Sequence, residues 1–195
     1  MLTFAVRNLE PYRGFHTFLR LLPELQRRRP RLQVLIVGGD GVSYGRPPEG
    51  GGTWRQMLLQ ELAGQLDLQR VHFVGTVSHP TLHRLFRVSR AHAYLSYPFV
   101  LSWSLLEAMA CGAVVVGSAT PPVQEVITDG DNGYLVDFFD REAWLDRLEQ
   151  VLADPESQRS IASRARQTAV ERYDLRSVCL PQQLALVDQV AALSC

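Results

Sequence analysis

Six short runs of apolar, often β-branched residues, separated by segments with helical periodicity, constrain the fold of this 195-residue chain more than any other feature. The runs are apolar throughout and do not alternate with polar residues, which indicates strands covered on both faces. Strands that alternate with helices are joined by right-handed crossovers into a parallel sheet. The sequence therefore predicts an α/β fold with a doubly wound parallel sheet of about six strands. The predicted strands are residues 2–6, 32–37, 71–74, 91–95, 113–117 and 133–136.

Helical periodicity predicts five helices, at residues 15–28, 54–65, 80–88, 104–110 and 141–152. Pro23 is expected to kink or split the first helix, because it lacks the backbone N–H that an interior position donates. The Gly- and Pro-rich stretch 38–52 predicts a surface loop. After Pro155 the pattern is helical to the end, with a break near residues 173–176.

The length of the chain suits one well-buried core and is short for two. We expect a single domain over residues 1–195, with a core of about residues 1–154 and C-terminal helices, about 155–195, outside the sheet. A strand-like run already begins at Leu2, with no cap or linker before it. This favours a domain separated from a longer chain; a short protein with an early first strand is the alternative.

The charge balance excludes some classes of partner. The chain has 20 Lys and Arg residues and 20 Asp and Glu residues, so no global field attracts nucleic acid. The arginine-rich run at residues 27–31 favours a solvated helix end, with weak contact to a phospholipid surface as the alternative. No apolar run reaches the roughly 18 residues that span a bilayer, and the N-terminus lacks a signal-peptide pattern. We therefore expect a cytoplasmic protein.

Neither the cysteines nor the histidines predict a metal site. The three cysteines form no CxxC pair, which favours reduced thiols. The histidines are scattered and share no ligand spacing, so we expect no bound metal. They are His16, His72, His79, His83 and His92.

Two arginines stand where a parallel sheet binds its ligands, at the carboxyl ends of the strands. Arg7 and Arg13 flank a short loop between the first strand and the first helix. Two guanidinium groups six residues apart can close on one diphosphate through paired, charge-assisted hydrogen bonds. Two solvated loop arginines are the alternative interpretation.

Residues 97–112 follow a strand and run directly into a helix. Ser102 or Ser104 can cap that helix, whose N-terminal amides then form an anion site. Glu107 follows within about one turn, and a carboxylate there can accept two hydroxyl protons from a ribose. An ordinary helical glutamate is the alternative. However, the neighbouring residues are apolar and an unpaired buried charge is costly, which favours a bound partner.

These motifs together resemble the group 1 glycosyltransferases, also called family 4. The resemblance rests on LLEAMACGAVVV at residues 105–116 and EVITDGDNG at residues 125–133. It extends in order to VGG at residues 37–39 and HFVGTV at residues 72–77, and covers about residues 2–173. Arg7 and the Arg13-Gly14 pair resemble the family's basic residues that grip the donor diphosphate.

The resemblance implies a two-domain GT-B enzyme that transfers a sugar from a nucleotide diphosphate donor, such as a UDP or GDP sugar, with retention of configuration. It implies no required metal or other cofactor. This chain would be the Rossmann-like, donor-binding C-terminal half, and its partner would be an absent N-terminal half that holds the acceptor. Catalytic residues would lie partly in that other half.

The resemblance also implies roles for individual residues. Arg7, Arg13 and the helix start at Ser102, Trp103 and Ser104 would bind the donor diphosphate. Glu107 would bind the ribose. The segment bordering the base would be Gly75, Thr76 and Val77. The residues near the donor sugar would be Phe99, Val100 and Leu101.

Departures from the family pattern leave a second interpretation open. The family carries a glutamate eight positions before Glu107, and this chain has Phe99 there. A later Gly-Gly pair is replaced by Pro121 and Pro122. The alternative function is therefore a non-catalytic nucleotide- or partner-binding module that has lost the sugar subsite. A GT-B epimerase or phosphorylase is disfavoured, because the Glu107 segment resembles the transferase pattern more closely.

Overall fold

The computed structural model describes residues 1–193, which form one six-stranded sheet in the order β3-β2-β1-β4-β5-β6. All five strand pairs are parallel. The strands are β1 (Leu2–Asn8), β2 (Val34–Gly39), β3 (Val71–Gly75), β4 (Ala91–Tyr94), β5 (Val115–Ser118) and β6 (Tyr134–Val136). All six predicted strands are present, and the predicted doubly wound parallel sheet is confirmed.

The strand order reverses direction between β1 and β4. Leu2 pairs with Val34 of β2 on one side and with Ala91 of β4 on the other, so β1 lies at the centre of the sheet. The chain fills the sheet outward from β1 in both directions. In such a sheet the two loops at the reversal point separate and leave a crevice at the carboxyl ends of the strands. The topology thus places a ligand-sized gap beside the ends of β1 and β4.

Helices cover both faces of the sheet. They are α1 (Phe15–Arg28), α2 (Trp54–Glu61), α3 (His79–Val88), α4 (Trp103–Ala110), α5 (Pro121–Gln124), α6 (Arg141–Ala153), α7 (Arg159–Tyr173) and α8 (Leu180–Leu193). The five predicted helices are confirmed within a few residues. The short α5 was not predicted, since two prolines and four residues give no periodicity to detect. Residues 40–53 form the predicted loop between β2 and α2.

Pro23 does not split α1, so the expectation of a split helix is wrong. The helix continues from Phe15 to Arg28 with Pro23 inside it. Leu21, Leu22 and Leu25 are all buried on either side of the proline. Packing of this apolar face against the sheet outweighs the backbone hydrogen bond that the proline removes.

The two C-terminal helices differ in how they relate to the core. The chain breaks after Tyr173, as predicted, and continues through a π-helical turn at Leu175–Cys179. Helix α7 packs against α4 and buries Ile161, Ala165 and Ala169, so the core extends past the predicted limit near residue 154. Helix α8 has no buried residue, although it is rich in leucine, valine and alanine.

The arginine-rich run at residues 27–31 is largely engaged by protein groups. Arg27 forms an ion pair with Glu24, and Arg28 reaches Asp146 on α6 at 2.7 Å. Arg29 donates to the carbonyl of Leu152. These contacts tie α1 to α6 and support the solvated helix end over a lipid-binding patch. In the described part of the chain, no helix has both the length and the apolarity needed to cross a bilayer.

His92 makes the stability of the fold sensitive to acid. Its ring is fully buried on β4, and Nδ1 hydrogen-bonds with the hydroxyl of Thr3 at 3.0 Å. Burial lowers the pKa of His92 to about 4, below its ordinary value near 6.5. The folded state therefore disfavours the protonated ring. The contribution of neutral His92 to the free energy of unfolding is fully present above about pH 6.5. About 3 kcal/mol of that free energy is lost as the pH falls to about 4.

We expect His92→Leu to flatten this pH dependence, because leucine has no proton to bind. Urea unfolding at intervals from pH 4 to 7 measures the free energy of unfolding. The slope against pH is the readout, since loss of the Thr3 bond lowers the baseline at every pH. An unchanged slope in His92→Leu would assign the acid sensitivity to other groups, such as the half-buried His16.

Candidate functional site

A cavity of about 370 Å³ lies at the carboxyl edge of the sheet. Its wall includes Arg7 and Asn8 at the end of β1 and Gly38 at the end of β2, together with Ser102 and Ser104 at the start of α4. These elements flank the point where the strand order reverses. The cavity is thus at the position that the topology favours for a ligand.

The N-terminus of α4 opens onto this cavity. Ser102 is the N-cap, and its hydroxyl accepts from the backbone N–H of Ser104 at 3.4 Å. The Ser104 hydroxyl in turn donates to the carbonyl of Ala5 on β1. The first turn of α4 is therefore anchored to the central strand. Free N–H groups and the helix dipole at such a terminus favour an anion.

Trp103, the first residue of α4, projects into solvent with 82% of its surface exposed. Within residues 1–193 this side chain therefore contributes little to packing. Trp144, by contrast, is fully buried, and its indole N–H donates to the carbonyl of Asp137. The sequence could not separate the two, because the difference lies in which face of each helix meets the sheet.

The two predicted diphosphate arginines occupy different environments. Arg7 is exposed and lines the cavity. Arg13 is only 7% exposed and does not line it. Its guanidinium donates to the carbonyl of Val100 at 3.2 Å and lies over the ring of Tyr44, 5.0 Å from the centroid. The two guanidinium groups therefore do not face the cavity together, and only Arg7 lies on its wall.

Arg13 is connected to the cavity through Tyr94. The Tyr94 hydroxyl contacts Arg13 and accepts the backbone N–H of Ser102 at 2.8 Å. Burial raises the pKa of Tyr94, so the hydroxyl stays neutral. Across residues 1–193, no carboxylate lies within 4.0 Å of the Arg13 guanidinium. A buried cation without a counter-ion is costly, and an anion bound next to it would offset that cost.

Glu10 supports the edge of the site, a role that the sequence analysis missed. Its carboxylate is fully buried and accepts backbone N–H groups from Ser43, Tyr44 and Gly45, at 3.0 to 3.2 Å. These bonds fix the loop after β2 and hold the Tyr44 ring over Arg13. No local signal marked Glu10, because its partners lie 33 to 35 residues away in the chain.

Glu107 is not the unpaired acid that its apolar sequence neighbours suggested. Its side chain is 22% exposed, and Oε1 lies 3.0 Å from Nδ1 of His79 and 3.5 Å from Nε2 of His83. The statement that the histidines share no ligand spacing is also wrong for this pair. His79 and His83 are four residues apart on α3, and side chains at that spacing share one helix face.

Phe99 occupies an aromatic cluster at the edge of the site. Its ring lies edge-on to Tyr44 with centroids 4.8 Å apart, and the Arg13 guanidinium sits 5.5 Å from its centroid. A glutamate here would supply the carboxylate that Arg13 lacks. Val100 and Leu101 continue the same loop; Val100 is exposed and Leu101 is partly buried.

The segment predicted to border the base also reaches the cavity. Thr76 and Val77 line it, immediately after β3, whereas Gly75 does not. Gly75 has a φ of +68°, which turns the chain away from β3 toward α3. Of the predicted site residues, the cavity wall therefore unites Arg7, Thr76, Val77, Ser102 and Ser104.

Comparisons with known proteins find relatives that match most of the chain. The chain is 32% identical over 171 residues to a D-inositol 3-phosphate glycosyltransferase from Corynebacterium urealyticum, a match that covers 86% of this chain and 38% of that protein. The chain thus spans about a third of the length of the curated relatives that it matches.

Two solved structures share the fold over most of the chain. HepE from Anabaena, in complex with UDP, superposes with a TM-score of 0.76 at 24% identity, over 97% of this chain and 48% of that one. The C-terminal domain of a group 1 glycosyl transferase, LpcC from Francisella tularensis, gives a TM-score of 0.75 at 18% identity. That match covers 90% of this chain and 87% of the LpcC domain.

The family model of the group 1 glycosyl transferases matches residues 2–168, nearly the whole chain. The match includes β1 with Arg7, the cavity at the strand ends and helix α4. With the Rossmann-like sheet and the relatives just described, it establishes that this chain belongs to the group 1 glycosyl transferases.

Proposed function

We propose that the chain is the donor-binding domain of a retaining glycosyltransferase that takes a nucleotide diphosphate sugar. The observation that carries this proposal is the cavity at the strand-order reversal, with Arg7 and the N-terminus of α4 on its wall. A cation and free helix amides facing one cavity suit a diphosphate. UDP and GDP sugars both present this group.

The charge distribution of the site matches what sugar transfer requires. Departure of a nucleoside diphosphate builds negative charge on phosphate oxygens in the transition state. Positioned cations and helix amides stabilise that charge without reorganising during the reaction. Arg7 and the amides of α4 contact the diphosphate in this scheme, and buried Arg13 adds a second positive charge behind Ser102.

The remaining ligand parts have candidate positions around the same cavity. The base lies against Thr76 and Val77, and the ribose hydroxyls reach the carboxylate of Glu107. The donor sugar lies toward Phe99, Val100 and Leu101. No cofactor is needed in this scheme, and side chains that assist the chemistry come partly from a second domain.

Properties of the relatives support the proposal. HepE was solved with UDP and also with UDP-glucose. The sequence relatives include D-inositol 3-phosphate glycosyltransferases and an N-acetyl-alpha-D-glucosaminyl L-malate synthase. Because the matched curated proteins are more than twice as long, we assign the acceptor to a second, N-terminal Rossmann-like half. Hexosyl transfer in cytoplasmic glycan synthesis fits these relatives and the free thiols of Cys111 and Cys179 among the described residues.

The 195-residue chain is expected to bind donor without measurable glycosyl transfer. The acceptor approaches a GT-B donor across the interdomain cleft, and closure of that cleft supplies orientation and excludes water. Transfer should appear when an N-terminal half from a relative is supplied in the same chain. The measurement is acceptor-dependent release of nucleoside diphosphate from a panel of nucleotide sugars.

Each outcome of that assay selects one interpretation. Robust acceptor-dependent release by the 195-residue chain contradicts the half-enzyme proposal. A fused chain that binds donor but transfers nothing across a broad acceptor panel favours the non-catalytic module. Phe99 is the observation behind that second candidate, because an aromatic ring there removes a carboxylate from the expected sugar subsite.

A further inference from the structure

Helices α3 and α4 bring three metal-ligating side chains to one point beside the nucleotide cavity. They are His79, His83 and Glu107, whose ligand atoms all lie within 4.8 Å of one another. Both imidazoles approach the same carboxylate oxygen, at 3.0 Å and 3.5 Å. The contacts need each ring to carry its proton on the nitrogen that faces Oε1. Two imidazole nitrogens and one carboxylate oxygen therefore face one small volume.

The distances from the two imidazole nitrogens to Glu107 Oε1 suit a tetrahedral metal site. Zinc binds imidazole nitrogen and carboxylate oxygen at about 2.0–2.2 Å, which places neighbouring ligand atoms about 3.4 Å apart. The two measured distances to Oε1 bracket that value. Two imidazoles favour zinc over magnesium or calcium, which prefer all-oxygen sites.

The cluster is accessible and is built on packed helices. The exposed fractions of the side chains are 76% for His79, 38% for His83 and 22% for Glu107, so an ion can enter from solvent. Helix α3 packs against α4, and Ser102 caps α4, so the backbone that carries the three ligands is held in place. Three protein ligands leave a fourth position for water or an incoming ligand.

We infer that His79, His83 and Glu107 form a Zn²⁺ site, and that an ion bound there competes with the nucleotide. Glu107 is the proposed ribose ligand, and His79 lines the cavity. When Glu107 binds a zinc ion, its carboxylate is no longer free to accept hydrogen bonds from the ribose. The bound ion and its ligands also occupy space at the edge of the cavity. The competition rests on the proposed function, whereas the zinc site itself rests only on the three side chains.

Isothermal titration of the apo-chain with zinc chloride tests the site directly. We expect one equivalent of zinc to bind, with no comparable binding of magnesium. In His79→Ala/His83→Ala the affinity should fall at least about 100-fold, because losing even an outer-sphere partner commonly costs 10–100-fold. His72→Ala is the matched control, since His72 is exposed on β3 and pairs with Gln33. It should bind zinc as the parent does.

Thiolates must be separated from the histidine site. The same titration in a chain with Cys111, Cys179 and Cys195 replaced by serine should retain the zinc equivalent. Cobalt(II) bound to the parent should give visible absorption without a thiolate charge-transfer band. Zinc affinity unchanged in the double histidine variant, or lost with the cysteines, would overturn the proposal.

Competition is measured by titrating UDP with and without saturating zinc. In the parent, saturating zinc should raise the apparent Kd for UDP at least about tenfold. The rise should be larger than the rise that zinc causes in His79→Ala/His83→Ala. UDP also binds zinc in solution, and this raises the apparent Kd equally for both proteins. The variant therefore measures that background. Equal changes in both proteins exclude competition at this site. If the parent binds no UDP at all, the proposed function fails while the zinc titration still decides the metal site.

Discussion

Replacing Arg7 and Arg13 together by alanine should weaken UDP binding by about 2–4 kcal/mol. A hydrogen bond to a charged group contributes about 1.5–3 kcal/mol, and the exposure of Arg7 reduces its share. Calorimetric titration with UDP and GDP measures the loss. A double variant that binds both nucleotides as the parent does would show that the diphosphate lies elsewhere.

The single variants should differ in a way that reflects their environments. Arg7→Ala should weaken nucleotide binding and change the free energy of unfolding by less than about 0.5 kcal/mol, as surface substitutions do. Arg13→Ala should also lower stability, because it removes the bond to Val100 and the packing against Tyr44. Arg31→Ala is the control, since Arg31 is exposed near the opposite edge of the sheet, ahead of β2. It should alter neither quantity.

Substitution of Gly14 by alanine should lower the free energy of unfolding by about 2–5 kcal/mol. Gly14 has a φ of +69°, and the left-handed region costs about 1–2 kcal/mol for a residue with a Cβ. A Cβ there would also lie 3.0 Å from the carbonyl oxygen of Leu95 and overlap the Leu95 side chain. Such overpacking adds about 1–3 kcal/mol.

Gly64→Ala separates the two causes. Gly64 has a similar φ of +75°, but a Cβ there would have nothing within 4 Å. Urea unfolding should show only the backbone cost in Gly64→Ala and the larger loss in Gly14→Ala. Equal losses would mean that Leu95 moves aside without cost. A shift of Gly14 also displaces Arg13, so UDP affinity should fall in Gly14→Ala and stay unchanged in Gly64→Ala.

The sequence determined the sheet because its signal is local. Each strand is a short run that is apolar on both faces, and every strand except β5 is followed by a segment with helical periodicity. Alternating strands and helices are compatible with few topologies. The sequence therefore also predicted that ligands bind at the carboxyl ends of the strands. Arg7, Ser102 and Ser104 were predicted at that edge because each follows a strand or begins a helix, and the family resemblance added Thr76.

Only the tertiary structure decided the environment of each side chain. The burial of Arg13 depends on Tyr44, whose loop is held by Glu10 from a distant part of the sequence. Glu107 meets His79 and His83 across 24 to 28 residues, when α3 and α4 pack together. The periodicity of a sequence shows which face of a helix or strand is apolar. It does not show which polar side chains come together when helices and strands pack. The physical reason is that electrostatic partners are fixed by distance in space, and distance in space depends on the whole fold.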